Sequence, residues 1–308
     1  HADSRHLCEN LMHRHGYSDT PSHMTETPID PRWGDASPVH DPYALANFMA
    51  RPSDVLITTA PKAGTTWMQQ ILHQLRSGGD DRFRSIYDVV PWLEFPQENT
   101  SWQERLDRYD AMDDPRIFKT HCTWQQTPGS DVANIILTSR DPRDCCVSFY
   151  HHVMDMTDEA REHVGLVKPA SFDEYFERWM AFGAWFRNVQ SWWPHHQDSN
   201  VLWLRYEDLK QDLESGIDRI LAFLDWQITA AQRIRVLEYC SFEWMKANTE
   251  RFTRQSADRD PSFKPGGFIR KGRTGDYKTL LTAAHERAIM EKAEDMLESE
   301  CIAFLRLR

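Results

Sequence analysis

The 308-residue chain has no apolar run near the roughly 18–20 residues that a membrane helix needs. Residues 1–40 are broken by charge, His and Pro, so they hold no signal-peptide core. Positive charge is in short supply: 36 Lys and Arg face 47 Asp and Glu, a formal net charge of −11. Broad nucleic-acid binding runs on clustered positive charge, so that class is set aside, while a local basic pocket stays open. Cysteine is sparse and scattered, at Cys8, Cys122, Cys145, Cys146, Cys240 and Cys301. With no CxxC pair and no ladder of ligands, the sequence predicts reduced thiols in a cytoplasmic enzyme and no metal site. Only 13 Gly and 16 Pro are present, which excludes collagen-like and low-complexity readings. The ATP-type phosphate loop GxxxxGK[ST] is missing too. The chain opens on His1 rather than Met, so its start is read as processed, cut from a longer protein or vector-derived.

What is present is a globular composition, 40% hydrophobic and 27% charged, long enough for a sizeable core. Residues 1–40 read as a polar, flexible N-terminal arm, and residues 41–308 as a single domain. Cys8, His13 and His15 fall in that arm, where scattered histidines on a loose segment are the simpler account than a metal site. The β-branched run at 54–60 (DVLITTA) reads as a buried strand. A small-residue loop follows, then Trp67, Ile71, Leu72 and Leu75 at helical spacing, stopped by Gly78 and Gly79. Residues 116–119, 133–139 and 200–205 are further strands, and Pro142 suits the first turn of a helix. An aromatic-rich helix is expected over 172–192 and a final amphipathic helix over 283–300. This alternation predicts an α/β fold: a central, mainly parallel sheet flanked by helices, with ligands beyond the carboxyl ends of the strands.

The loop at 61–67, PKAGTTW, carries the first chemistry. Gly64 has no side chain to block close approach, and successive backbone N–H groups at a helix N-terminus make an anion site. Lys62 adds a full positive charge, and the Thr65 and Thr66 hydroxyls can donate. Because Lys precedes Gly and no Gly stands at the loop entrance, a P-loop kinase is disfavoured.

PKAGTTW resembles the 5′-phosphosulfate loop of the cytosolic-type sulfotransferases, which use 3′-phosphoadenosine 5′-phosphosulfate (PAPS). Four more segments agree in order. VPWLEF at 90–95 is similar to the family's acceptor-side segment, and FKTH at 118–121 to its KTH strand. SRDPRDCCVSFYH at 139–151 resembles its 3′-phosphate motif, and FIRKGRTGD at 268–276 its RKGxxGD signature. The resemblance covers roughly residues 40–280 and implies a PAPS-dependent sulfotransferase with a P-loop-like phosphosulfate-binding loop.

The resemblance assigns the donor site residue by residue. Lys62, Ala63, Gly64, Thr65 and Thr66 form the phosphosulfate loop. Arg140 and Ser148 meet the 3′-phosphate, a role that a guanidinium fork and a hydroxyl suit physically. Phe268, Ile269, Arg270, Lys271 and Gly272 close over the same end of the nucleotide. Trp67 and Phe242 sandwich the adenine, Tyr206 helps hold it, and Ser241 and Met245 stand at the neighbouring matching positions. Cys240 stands where the family usually has Thr. His121 is the candidate general base: an imidazole with an unperturbed pKa of about 6.5 can take the acceptor's proton near neutrality. Lys119 shares its strand face and can neutralise the sulfonate, and Lys62 stabilises the bridging oxygen of the leaving phosphate. No metal is required by this chemistry.

On the acceptor side, Phe83, Tyr87, Trp92, Phe95, Trp124 and Phe149 predict an aromatic pocket for a small or lipid-like hydrophobic alcohol or phenol. Glu94 reads equally as an acidic pocket residue or a structural one. The pairs His151-His152 and His195-His196 read as helix-surface or capping residues. At 278–286 the family's usual homodimer segment is degraded, with Ala283 in place of Val and Glu286 one residue early. The rival readings are a P-loop phosphotransferase, a catalytically silent nucleotide-binding module, and a sulfotransferase domain cut from a larger synthase.

Overall fold

The computed structural model describes residues 29–253 and 262–307. Cys8, His13 and His15 lie outside those residues. Four strands form one parallel sheet: β1 (Val55–Thr59), β2 (Ile117–Thr120), β3 (Asn134–Ser139) and β4 (Val201–Arg205), in the order β2-β1-β3-β4. Each begins and ends within a residue or so of the sequence expectation. The near-continuous apolar runs are explained by cover on both faces. Side-chain alternation sends Leu56, Phe118, Ile135, Leu137 and Trp203 into one core. The intervening Val55, Ile57, Ile117, Ile136 and Leu204 enter the other.

The helices that shape the site follow strand ends. Helix α1 (Thr65–Ser77) leaves β1, and Gly78 ends it in the left-handed conformation at φ 68°. Helix α2 (Pro142–Asp155) leaves β3, with the Asp141 carboxylate accepting from Arg143 N and Pro142 in the first turn. The stretch expected as one helix over 172–192 is two, α3 (Phe172–Phe182) and α4 (Ala184–Trp192). Gly183 at φ 58° caps the first and starts the second, because the conformation that closes one helix cannot continue it. Helix α5 (Tyr206–Gln211) follows β4 directly, and α6 (Phe242–Ala247) comes later, capped by Ser241. The last amphipathic stretch ends as α7 (Ala283–Met296), four residues before the expected limit. Leu297 is buried and extended there, and a separate helix, Ser299–Leu305, follows.

The starts of the strands are tied by one ion pair. Asp54 and Arg116, immediately before β1 and β2, are both fully buried and bond bidentately at 2.8 and 2.6 Å. Arg116 also donates to Asp110, Tyr109 O and Met49 O, so all five of its N–H groups are used.

Segment 91–95 runs along the open edge of β2. Lys119 N donates to Pro91 O at 2.8 Å and Leu93 N to Lys119 O at 2.9 Å. This pairing sets Trp92 and Glu94 beside the end of β2. Residues 29–40, expected as the end of an arm, pack against the body. Trp33 is buried, and Gly34, Asp35, Ser37, Val39 and His40 line the same cavity as the strand ends.

Candidate active site

All four strands deliver chemistry at their carboxyl ends, where a parallel sheet leaves a crevice. β1 leads to Lys62 and Gly64, β2 to Lys119 and His121, β3 to Arg140 and β4 to Tyr206; all line one cavity of about 1300 Å³.

The loop after β1 is bent by two residues in the left-handed region, Lys62 at φ 68° and Gly64 at φ 97°. A Cβ at Gly64 would stand 2.8 Å from Tyr206 Cδ2, so glycine is needed both for conformation and for space. Helix α1 then starts without a side-chain cap, and its first residues Thr65 and Thr66 face the cavity. First-turn N–H groups with no cap are available to an anion. The Thr65 hydroxyl is already hydrogen-bonded to that of Thr59, which ties the loop to the strand it left.

His121 is fixed from two sides. Its backbone N–H donates to Glu94 Oε1 at 2.8 Å, and its Nδ1 lies 2.8 Å from Thr59 O. A carbonyl can only accept, so Nδ1 carries the hydrogen and Nε2 keeps its lone pair. Enclosure in the cavity, with Lys119 and Lys62 nearby, pulls the His121 pKa down to about 3. The ring is therefore neutral at ordinary pH. Lys119 Nζ sits 3.6 Å over the Trp92 ring, whose edge meets His121 at 5.1 Å.

Lys62 points to α2. Its Nζ is 3.2 Å from His152 Nδ1 and 5.6 Å from the Phe268 ring. Enclosure, with Arg140 and Arg270 adding to it, lowers its pKa to about 8. Arg140 is held by Arg273 O at 2.9 Å, stands over the Tyr206 ring and leaves its buried Nε unpaired. Ser148 lines the cavity from α2.

The segment from Phe268 to Asp276 forms another wall of the cavity. Asp144 of α2 anchors it by accepting from Gly275 N at 2.8 Å and Tyr277 N at 3.2 Å. Within it, Arg270 and Lys271 both bond Asp276, at 2.5 and 3.1 Å. Gly272 has φ 59°, and a Cβ there would stand 2.6 Å from Phe242 Cδ2. Phe268, Ile269 and Met245 line the cavity with it. Trp67 is oriented by a 2.8 Å bond from its Nε1 to Cys240 O. That contact uses a backbone carbonyl, so Cys in place of Thr leaves it intact. Lys210 of α5 lies 5.8 Å from the Trp67 ring and 5.9 Å from that of Phe242.

Two residues assigned to the donor site do not line the cavity. Ala63 is buried in the turn, with its N–H on Ala60 O. Ser241 spends its hydroxyl capping α6 at Trp244 N. The aromatic set divides: Tyr87, Trp92, Phe95 and Phe149 line the cavity. Phe83 packs in the second core and Trp124 stacks on His195. Glu94 is buried and lines the cavity while holding His121. His152, expected on a helix surface, is in the cavity as well. Asp144 and Asp276 had no signal of their own beyond lying inside the matched segments. Among the described residues, no group of three or more His, Cys, Asp or Glu is placed to hold a metal ion. No described helix is long and apolar enough to cross a membrane.

Comparison with known proteins agrees with this geometry. The family model for the sulfotransferase domain matches residues 52–299. Sulfotransferase 1E1 of Homo sapiens is 32% identical over 267 residues, covering 83% of this chain and 88% of its own. Sulfotransferase 1 family member D1 of Rattus norvegicus is 34% identical over 273 residues, with coverage of 84% and 88%. Among solved structures, mouse sulfotransferase SULT7A1 complexed with PAP superposes with a TM-score of 0.64 at 22% identity, covering 83% of this chain and 89% of that one. Retinol dehydratase with androsterone and inactive cofactor PAP gives 0.64 at 22%, covering 83% and 85%, so both share the fold. The chain belongs to the sulfotransferase family, whose members move a sulfuryl group from PAPS to an acceptor.

Proposed function

We propose that this chain sulfonates a hydroxyl on a small, largely apolar acceptor, with His121 as proton acceptor and Lys62 and Lys119 as charge stabilisers. PAPS supplies the activated sulfuryl group. The residues fit such a donor: two glycine positions that a Cβ would fill, an uncapped helix start, and Arg140, Arg270 and Lys271 around one end of the cavity. In the balanced reaction the acceptor O–H gives its proton to His121 Nε2, the O–S bond forms, and the S–O bond to the 5′-phosphate breaks. The products are a sulfate ester and adenosine 3′,5′-bisphosphate.

The observation that carries this reading is the locked imidazole. Thr59 O holds the proton on Nδ1, so Nε2 is a ready acceptor in the cavity that contains both lysines. Burial first, and the nearby ammonium groups after it, weaken it as a base; an anionic donor offsets the ammonium contribution, so the base gains strength when the donor is in place. Tyr87, Trp92, Phe95 and Phe149 support an aromatic or otherwise apolar acceptor body. The test is turnover with PAPS over an acceptor panel, together with calorimetric affinity for the bisphosphate. A positioned general base contributes roughly 10²–10⁴ in rate. His121→Ala is expected to lose that much turnover while binding the bisphosphate normally. A folded variant with near-wild-type turnover at neutral pH rules out His121 as the base.

A further inference from the structure

We propose that His152 is a positioning residue for Lys62, its Nδ1 accepting from the Lys62 ammonium and so fixing both where that ammonium points and how readily it gives up a proton. The proposal rests on the reading of Lys62 as a charge stabiliser at the leaving oxygen.

Three features support it. First, the 3.2 Å separation of Lys62 Nζ and His152 Nδ1 is a hydrogen-bond distance, and an ammonium can only donate. Second, His152 stands four residues after Ser148 on α2, so helical spacing carries both to the cavity face. Third, the imidazole is packed by rings from two segments: Phe149 at 5.8 Å, Phe263 at 4.8 Å and Phe268 at 6.0 Å. That packing holds the ring plane, so Nδ1 offers one direction to the ammonium.

The surroundings make this acceptor matter. Arg140 and Arg270 press positive charge on Lys62, while Asp155 opposes them and the Cys145 thiol is held neutral. Lys119 and His121 face His152 from the end of β2. Among the described residues no carboxylate forms a salt bridge with Lys62. Its ammonium therefore meets a neutral acceptor: enclosure and the neighbouring Lys62 and Lys119 keep His152 uncharged. A carboxylate there would repel an incoming sulfonate and compete for the ammonium, and a hydrocarbon would leave the ammonium without an acceptor. A neutral imidazole does neither.

The test has one arm on the unaltered protein and one on variants. Histidine-selective ¹⁵N NMR of the wild-type protein should show His152 with Nδ1 unprotonated and Nε2 carrying the hydrogen. The Lys62 ammonium is then titrated by ¹³C NMR of its ε-carbon, assigned by its loss in Lys62→Arg, in wild type, His152→Phe and His152→Asn. A hydrogen bond to a charged group is strong enough that losing the acceptor should make Lys62 roughly tenfold more acidic in His152→Phe. Asn places a carbonyl oxygen near the position of Nδ1 and should restore the wild-type value. The alkaline limb of kcat/KM should move down in pH with the Phe variant and return with Asn. A protonated Nδ1 in wild type overturns the proposal, and so does the same Lys62 titration in all three folded proteins. Full turnover in Lys62→Ala would instead defeat the role of Lys62 and leave the NMR result standing, so the two failures are distinguishable.

Discussion

The two ends of the sheet handle charge in opposite ways. Before the strands, Asp54 and Arg116 are fully buried, and every Arg116 N–H has an acceptor. Beyond the strands, Lys62, Lys119 and Arg140 crowd one cavity, with a neutral imidazole, an indole face and a backbone carbonyl among their partners. One end contributes rigidity; the other gathers cations around a space suited to an anionic ligand, with Asp144 and Asp276 paired to only some of them. A parallel sheet makes this division natural, since its carboxyl ends open into a crevice while its amino ends close on the core.

The largest test of that contrast sets His121→Ala against Arg116→Met. The first should lose most of its turnover with little change in thermal midpoint. The second leaves Asp54 as a buried, unpaired charge and should cost about 3–5 kcal/mol of stability, while any folded fraction keeps its rate per molecule. Chemical denaturation and active-site-normalised turnover on both variants decide it. Next in size is Arg140→Ala, which removes the charge-assisted contact proposed for the donor and should weaken bisphosphate binding by about 1.5–3 kcal/mol in calorimetry.

A pH series separates the regions more finely. In its proposed role Lys62 must keep its proton to stabilise a leaving anion, so kcat/KM should fall as pH rises through about 8. Stability should fail on the acid side instead. His73 of α1 is buried against Phe83, neither ring nitrogen has a partner, and burial pulls its pKa down to about 4. Between about 4 and the ordinary 6.5 the unfolded chain binds a proton that the fold refuses, so stability drops as pH falls through that window. The shift corresponds to a loss on the order of 3 kcal/mol, and His121 acts in the same direction. Thermal midpoints from pH 7 to pH 4 measure it, and His73→Gln should flatten part of the slope.

Strands and the loop–helix junctions were legible because β-branched runs, Gly64, Gly78 and Pro142 act locally. The break at Gly183 was legible in principle, but the aromatic periodicity on either side hid it. What sequence could not resolve was which of several equivalent side chains a cavity selects. Phe83 and Trp124 have the same chemistry as Trp92 and Phe95, and only packing sends the first pair elsewhere. His152 had a usable signal in its spacing from Ser148, masked by the neighbouring His151. The Thr65 hydroxyl was a fair candidate donor, and its bond to Thr59 depends on a contact that no spacing rule describes.

Asp276 gives the 268–276 segment its own internal anion. Arg270 and Lys271 are gathered by that carboxylate in the fold itself, and Asp144 pins the backbone on which they ride. In the proposed donor site, a phosphate arriving there meets two cations already held together, and they change partners rather than find one. Association then becomes an exchange of one anion for another. Its dependence on ionic strength should be shallower than a count of basic residues suggests, and its departure is helped by a carboxylate waiting to reclaim the pair.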